Sequence, residues 1–169
     1  MAIIVTVNPI PNAHASPLYE YYNTGEDTSQ GVLGATWVGQ TFTTSSIGHT
    51  ITSVKLLLKK IGTPTATLTV GIRATSSGLP TGEDLTSGTL DTSTLTTTNA
   101  WYETLLTEYT VLASTMYAIV IRCPSCVTGN YPSWAEDGSS PSYTDGQAAT
   151  STNSGSSWTE ASAYDNLFE

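Results

Sequence analysis

Charge is scarce in this chain, and most of it has one sign. Of 169 residues only 11% are Asp, Glu, Lys or Arg, and 14 acidic residues against five basic ones give a formal net charge of −9. The five cations, Lys55, Lys59, Lys60, Arg73 and Arg122, form no broad basic patch along the sequence. Phosphate backbones and anionic lipid are repelled by such a chain, so nucleic acid is not an expected partner. Long hydrophobic runs are missing as well. No stretch approaches the roughly 20 apolar residues of a membrane span, and membrane insertion is not expected. The good helix formers are few, whereas Ser and Thr supply roughly three residues in ten, a composition that favours strands over helices.

Reactive side chains are equally sparse. Two histidines, His14 and His49, and two cysteines, Cys123 and Cys126, are all the chain has of either type. There is no GxSxG, no P-loop and no Ser-His-Asp set. The CPSC motif at 123–126 follows an apolar run, MYAIVIR, rather than opening a helix in a βαβ unit, so thioredoxin-like chemistry is not expected. Zinc needs four ligands, and neither histidine lies near the pair. A disulfide closing a turn and two free thiols both remain open readings. Neither catalysis nor a redox cofactor is expected.

What the sequence does have is alternation. In TATLTVGIRA, residues Ala66, Leu68, Val70 and Ile72 share one face and Thr67, Thr69, Gly71 and Arg73 the other, the period of a half-buried strand. Similar runs fall at residues 3–7, 19–22, 37–43, 51–58, 102–109 and 116–122, separated by Gly, Pro, Asn and Ser. The pattern predicts an all-β antiparallel sandwich of one domain, residues 16–169, preceded by an N-terminal strand or arm at 1–15. MAIIVTV lacks the positively charged start of an export signal and is read as that first strand. TSSGLPTGED at 75–84 is expected to be a compact turn, residues 86–99 a connection from one sheet to the other, and residues 139–146 and 153–155 exposed turns.

Three sets of side chains are candidate sites. YPSWAEDG, residues 131–138, has the makings of a sugar platform: Trp134 between Tyr131 and the carboxylates Glu136 and Asp137, with Tyr143 nearby. Pyranose faces stack on aromatic rings, and their hydroxyls need directional partners. The competing reading is that Trp134 fills the rim of the sandwich. A structural calcium is the second candidate, because this hard cation collects oxygens where loop carboxylates converge; Glu26, Asp27 and Asp165 are the proposed ligands, with Asp137 and Asp145 in reserve. The acid pairs Glu26-Asp27, Glu83-Asp84 and Glu136-Asp137 lie beside glycines and read as solvated turn carboxylates rather than as a glycosidase pair. The third set is Ile3, Ile4 and Val5, consecutive apolar residues suited to completing a neighbour's sheet by strand addition.

The serial order of WVGQTFTT, ITSVKLLLKKIGTPTATLTVGIRATSSGLPTGEDLTSGTLDTSTLTTTNAWYETLL, VLASTMYAIVIR and STNSGSSWTEASAYDNLFE resembles the R-like group of choice-of-anchor domains over roughly residues 37–169. That resemblance implies a jelly-roll sandwich of the kind found in bacterial surface proteins and phage-encoded structural proteins, with no enzymatic activity. It also implies that Trp158, in a terminal Ser-Trp turn, is a packing residue rather than a sugar-gripping tip, and Trp101 likewise. The surface-protein form carries an export signal and a sorting tail, neither of which is seen here, so wall anchoring is not expected. The expected function is a structural one: a virion component such as a capsid decoration or tail protein, or a subunit of an extracellular assembly. It would act on copies of itself or another particle protein. The alternative is a carbohydrate-binding module or adhesin for cell-surface glycans.

Overall fold

The computed structural model describes residues 17–169; the arm at 1–15, with Ile3, Ile4 and Val5, lies outside the described residues. Among the described residues, eleven strands and one 3-10 turn account for the regular structure: β1 (Thr28–Gly31), β2 (Trp37–Thr43), β3 (His49–Ile61), β4 (Thr67–Ser76), β5 (Leu79–Asp91), η1 (Thr92–Thr94), β6 (Ala100–Val111), β7 (Met116–Arg122), β8 (Tyr131–Asp137), β9 (Ala148–Ser151), β10 (Thr159–Glu160) and β11 (Asp165–Asn166). They form two antiparallel sheets packed face to face. One runs β1-β8-β3-β6, with β11 on β8; the other runs β10-β9-β2-β7-β4-β5. The all-β sandwich expected from the alternation is what the chain builds. No helix among the described residues is long and apolar enough to cross a membrane.

The inward positions make one core. From β3 come Val54, Leu56 and Leu58, from β4 Leu68, Val70 and Ile72, from β2 Val38 and Phe42, and from β7 Tyr117, Ile119 and Ile121. The β-branched and leucine side chains at every second residue put their apolar mass between the sheets. Along one margin the sheets nearly touch: Thr86 Oγ1 on β5 donates to the Thr107 carbonyl on β6. Gly88 is required there, because a Cβ would lie 2.0 Å from the Leu105 carbonyl oxygen.

Several sequence expectations are corrected. Residues 75–84 are not a long turn. β4 and β5 are a hairpin whose turn is only Ser77 and Gly78, both at positive φ (52° and 78°), as a two-residue hairpin needs. Strand therefore continues through Asp91, and the crossing between sheets is confined to residues 92–99. Residues 19–22 contribute only one bridge, Tyr22 to Phe168. β3, β4 and β6 begin and end within a few residues of the alternating runs and β2 and β7 match them residue for residue, whereas β1, β5, β8, β9, β10 and β11 fall outside those runs.

Candidate functional site

The sugar platform does not form. YPSWAEDG is not a loop but strand β8, and Trp134 has no exposed surface; its ring lies in the core and Nε1 donates to the Leu167 carbonyl at 2.7 Å. Sitting between β1 and β3, β8 has one face turned to the core, and period two puts Trp134 on it. Tyr131 is half-buried, its ring where a Cβ on Gly31 would be 2.8 Å away. Tyr143 is half-buried too, edge-on to Phe168 with ring centroids 5.5 Å apart. Burial raises its hydroxyl pKa, with Asp145, Glu20 and Asp165 adding to the effect.

Glu136 and Asp137 are buried strand residues, not solvated turn carboxylates. Glu136 follows Trp134 on the same side of β8, and burial pushes its carboxyl up to about 7. Asp137 accepts a 2.6 Å hydrogen bond from the Tyr22 hydroxyl and one from the Ser140 amide at 3.1 Å. Asp165 is paired opposite Asp137 across β11 and β8. Burial raises Asp165 despite the Tyr143 amide at 3.0 Å and the Gln40 amide group at 3.3 Å.

The calcium set does not converge. Glu26 is exposed. Asp27 accepts from the Gly138 amide at 2.8 Å, and bonds from Ser139 and Gly138 hold it below the usual carboxylate range. Asp165 is engaged by Gln40 and Tyr143. Among the described residues no group of three or more His, Cys, Asp or Glu is placed to hold a metal ion.

Two constellations escaped the sequence reading. On the six-stranded sheet, Arg73 and Arg122 converge on Asp84, and both guanidiniums lie over the Trp37 ring, 5.2 and 5.0 Å from its centroid. Trp158 covers Gly39 nearby, where a Cβ would be 3.4 Å from its ring, so it lies against the sheet as the packing reading implied. Burial works to raise the Asp84 carboxyl, but the two guanidiniums outweigh it and hold it below its ordinary value. No sequence motif announces this cluster, because Asp84 stands 11 residues from Arg73 and 38 from Arg122.

The second constellation closes one end of the sandwich. Tyr19 stacks on His49 with ring centroids 3.8 Å apart and planes within 7°. Glu20 receives His49 Nε2 at 3.2 Å through one oxygen and the Ser45 amide at 3.2 Å through the other. Ser114 N donates to the Ser45 carbonyl at 2.7 Å, and Gly48 lies against the backbone of Leu112. These bonds gather residues 17–20, 45–49 and 111–114 at that end, where Leu18 (47%), Tyr19 (49%), Ile47 (71%) and Leu112 (66%) are exposed. Beside them a cleft of about 540 Å³ runs between the sheets, with Phe42, Val54, Ile72, Ile119 and Phe168 among its lining. Leu18 and Tyr19 also line this cleft, whose walls include Glu20, His49, Lys55, Glu103 and Glu169 beside the core residues.

No protein-family model matches the chain, and a search of curated proteins finds no match either.

Proposed function

We propose that this protein is a structural, non-enzymatic assembly module that associates with copies of itself through the end of the sandwich bearing Leu18, Tyr19, Ile47 and Leu112. The observation that carries the reading is that exposed apolar end. Single exposed apolar residues are ordinary on protein surfaces, but several large ones gathered at one end of a domain mark a place where another molecule sits. The net charge of −9 argues against nucleic acid or anionic lipid as the partner.

The strand order supports the finer fold reading. β1-β8-β3-β6 facing β2-β7-β4-β5, in sheets that also hold β11 and β9-β10, favours the jelly roll that the choice-of-anchor resemblance implies. Such sandwiches suit repetition in a particle, and a virion decoration, a tail component or a subunit of an extracellular assembly is the setting we infer. The carbohydrate alternative loses its platform with Trp134 buried and is not carried further. Sedimentation of the full chain against the Ile47→Asp/Leu112→Asp double variant tests the proposal. Self-association that the two aspartates weaken at least tenfold supports it; a chain that stays monomeric, or one whose association ignores both changes, rejects it.

A further inference from the structure

The outer face of the six-stranded sheet has a floor of small residues. Gly39, Val120 and Gly71 lie side by side across β2, β7 and β4. Each glycine leaves room for the side chain above it. The Trp158 ring covers Gly39, where a Cβ would be 3.4 Å away, and the Asp84 carboxylate covers Gly71, where a Cβ would be 2.7 Å from its carboxyl carbon. Ser154 and Gly155, both at positive φ (59° and 78°), carry the turn after β9 onto the Trp37 ring. A Cβ on Gly155 would lie 2.6 Å from that ring and 3.5 Å from Arg73 Nη1. Trp37, Trp158, Asp84, Arg73 and Arg122 therefore form one group on this face.

The group holds more donors than acceptors. A guanidinium has five N–H groups, so the two arginines offer ten. Asp84 takes three, from Arg73 Nε, Arg122 Nη1 and Arg122 Nη2. The Arg73 side chain is only 7% exposed, yet its Nη1 and Nη2 have no hydrogen-bond partner among the described residues. The indole Nε1 groups of Trp37 and Trp158 are buried and equally without an acceptor. Buried donors left unpaired are costly, so this surplus suits an incoming acceptor. Charge narrows the choice. Two guanidiniums against one carboxylate leave a single positive charge within the group, in a chain of net charge −9. A monoanion balances that charge, whereas a multiply charged anion is repelled by the rest of the chain. The Nη1–Nη2 pair is a planar fork matched to the two oxygens of a carboxylate. So covered a side chain is reached by a small molecule rather than by the surface of a folded partner.

We propose that Arg73 anchors a small monocarboxylate through Nη1 and Nη2 on the outer face of the six-stranded sheet, beside Trp37 and the turn at 153–158. This site does not require the assembly proposed above. The test titrates sodium propionate into the full chain at constant ionic strength, with sodium chloride as the control. Tryptophan fluorescence and the thermal midpoint are read on the same samples. A saturable fluorescence change with a raised midpoint, neither produced by chloride, is expected, and Trp101→Phe should leave the affinity unaltered. Arg73→Lys keeps the positive charge but lacks the fork, and should weaken propionate binding roughly tenfold or more while circular dichroism shows it folded. The unaltered chain supplies a second measurement, because it has only two arginines. With nitrogen-15 arginine, propionate should shift a guanidinium resonance. Resonances that stay in place, a chain without saturable response to propionate, or a folded Arg73→Lys variant that binds at full affinity overturns the proposal. Inorganic phosphate bound as tightly as propionate overturns the choice of a monocarboxylate.

Discussion

Arg122 holds both carboxylate oxygens of Asp84, at 3.1 and 2.5 Å, while Arg73, the residue opposite Asp84 on β4, takes one of them at 2.7 Å. The single acid is therefore shared by two guanidiniums that also lie over Trp37, with the Arg73 side chain only 7% exposed. Removing it strands two poorly solvated cations. Asp84→Ala is expected to cost about 3 kcal/mol, measured by urea unfolding. Because this carboxyl is held below its ordinary value, its contribution is present at neutral pH and disappears as pH falls below about 4. The variant should therefore lose the steepest part of the acid limb of the stability profile.

Glu136 works in the opposite sense. Its carboxyl is raised to about 7 by burial, so between about pH 4.5 and 7 the folded chain binds more protons than the unfolded chain. Stability must fall as pH rises through that window. Glu136→Gln should flatten this slope and make the protein more stable at pH 8 by on the order of 2 kcal/mol. Thermal unfolding from pH 5 to 8 reads the difference; a variant parallel to the parent across that range contradicts it.

Trp134 is expected to behave as a core residue. Trp134→Ala should cost about 3–5 kcal/mol, the loss of a fully buried indole plus its cavity. Trp134→Phe keeps most of the volume and loses the hydrogen bond to Leu167, whose carbonyl keeps the longer bond from Leu57 N at 3.4 Å; the loss should cost roughly 0.5–1.5 kcal/mol. Denaturant midpoints of the two variants check the order.

The Cys123–Cys126 disulfide spans only three positions in sequence, so the unfolded chain gains little freedom when it is cut. Cys126→Ser with Cys123→Ser should lower stability by about 2 kcal/mol, less than a bridge closing a long loop. Scanning calorimetry of the double variant measures it.

The sequence alone determined the all-β class and the core-facing residues Leu68, Val70 and Ile72 of β4, because period-two alternation is a local property a segment carries by itself, and its Gly, Pro, Asn and Ser placed the turns at 139–146 and 153–155. It did not determine where each strand lies. Whether YPSWAEDG is a loop or a central strand depends on β1 and β3 flanking it, and from that follows whether Trp134 meets water or core. Asp84 looked like a solvated turn acid beside Gly82 until the tertiary fold brought Arg73 and Arg122 to it. Side chains far apart in sequence meet only when two sheets are stacked, and neither alternation nor composition holds information about that distance. The fold class was therefore local and legible, while burial, ion pairing and the apolar end were decided by which strands became neighbours.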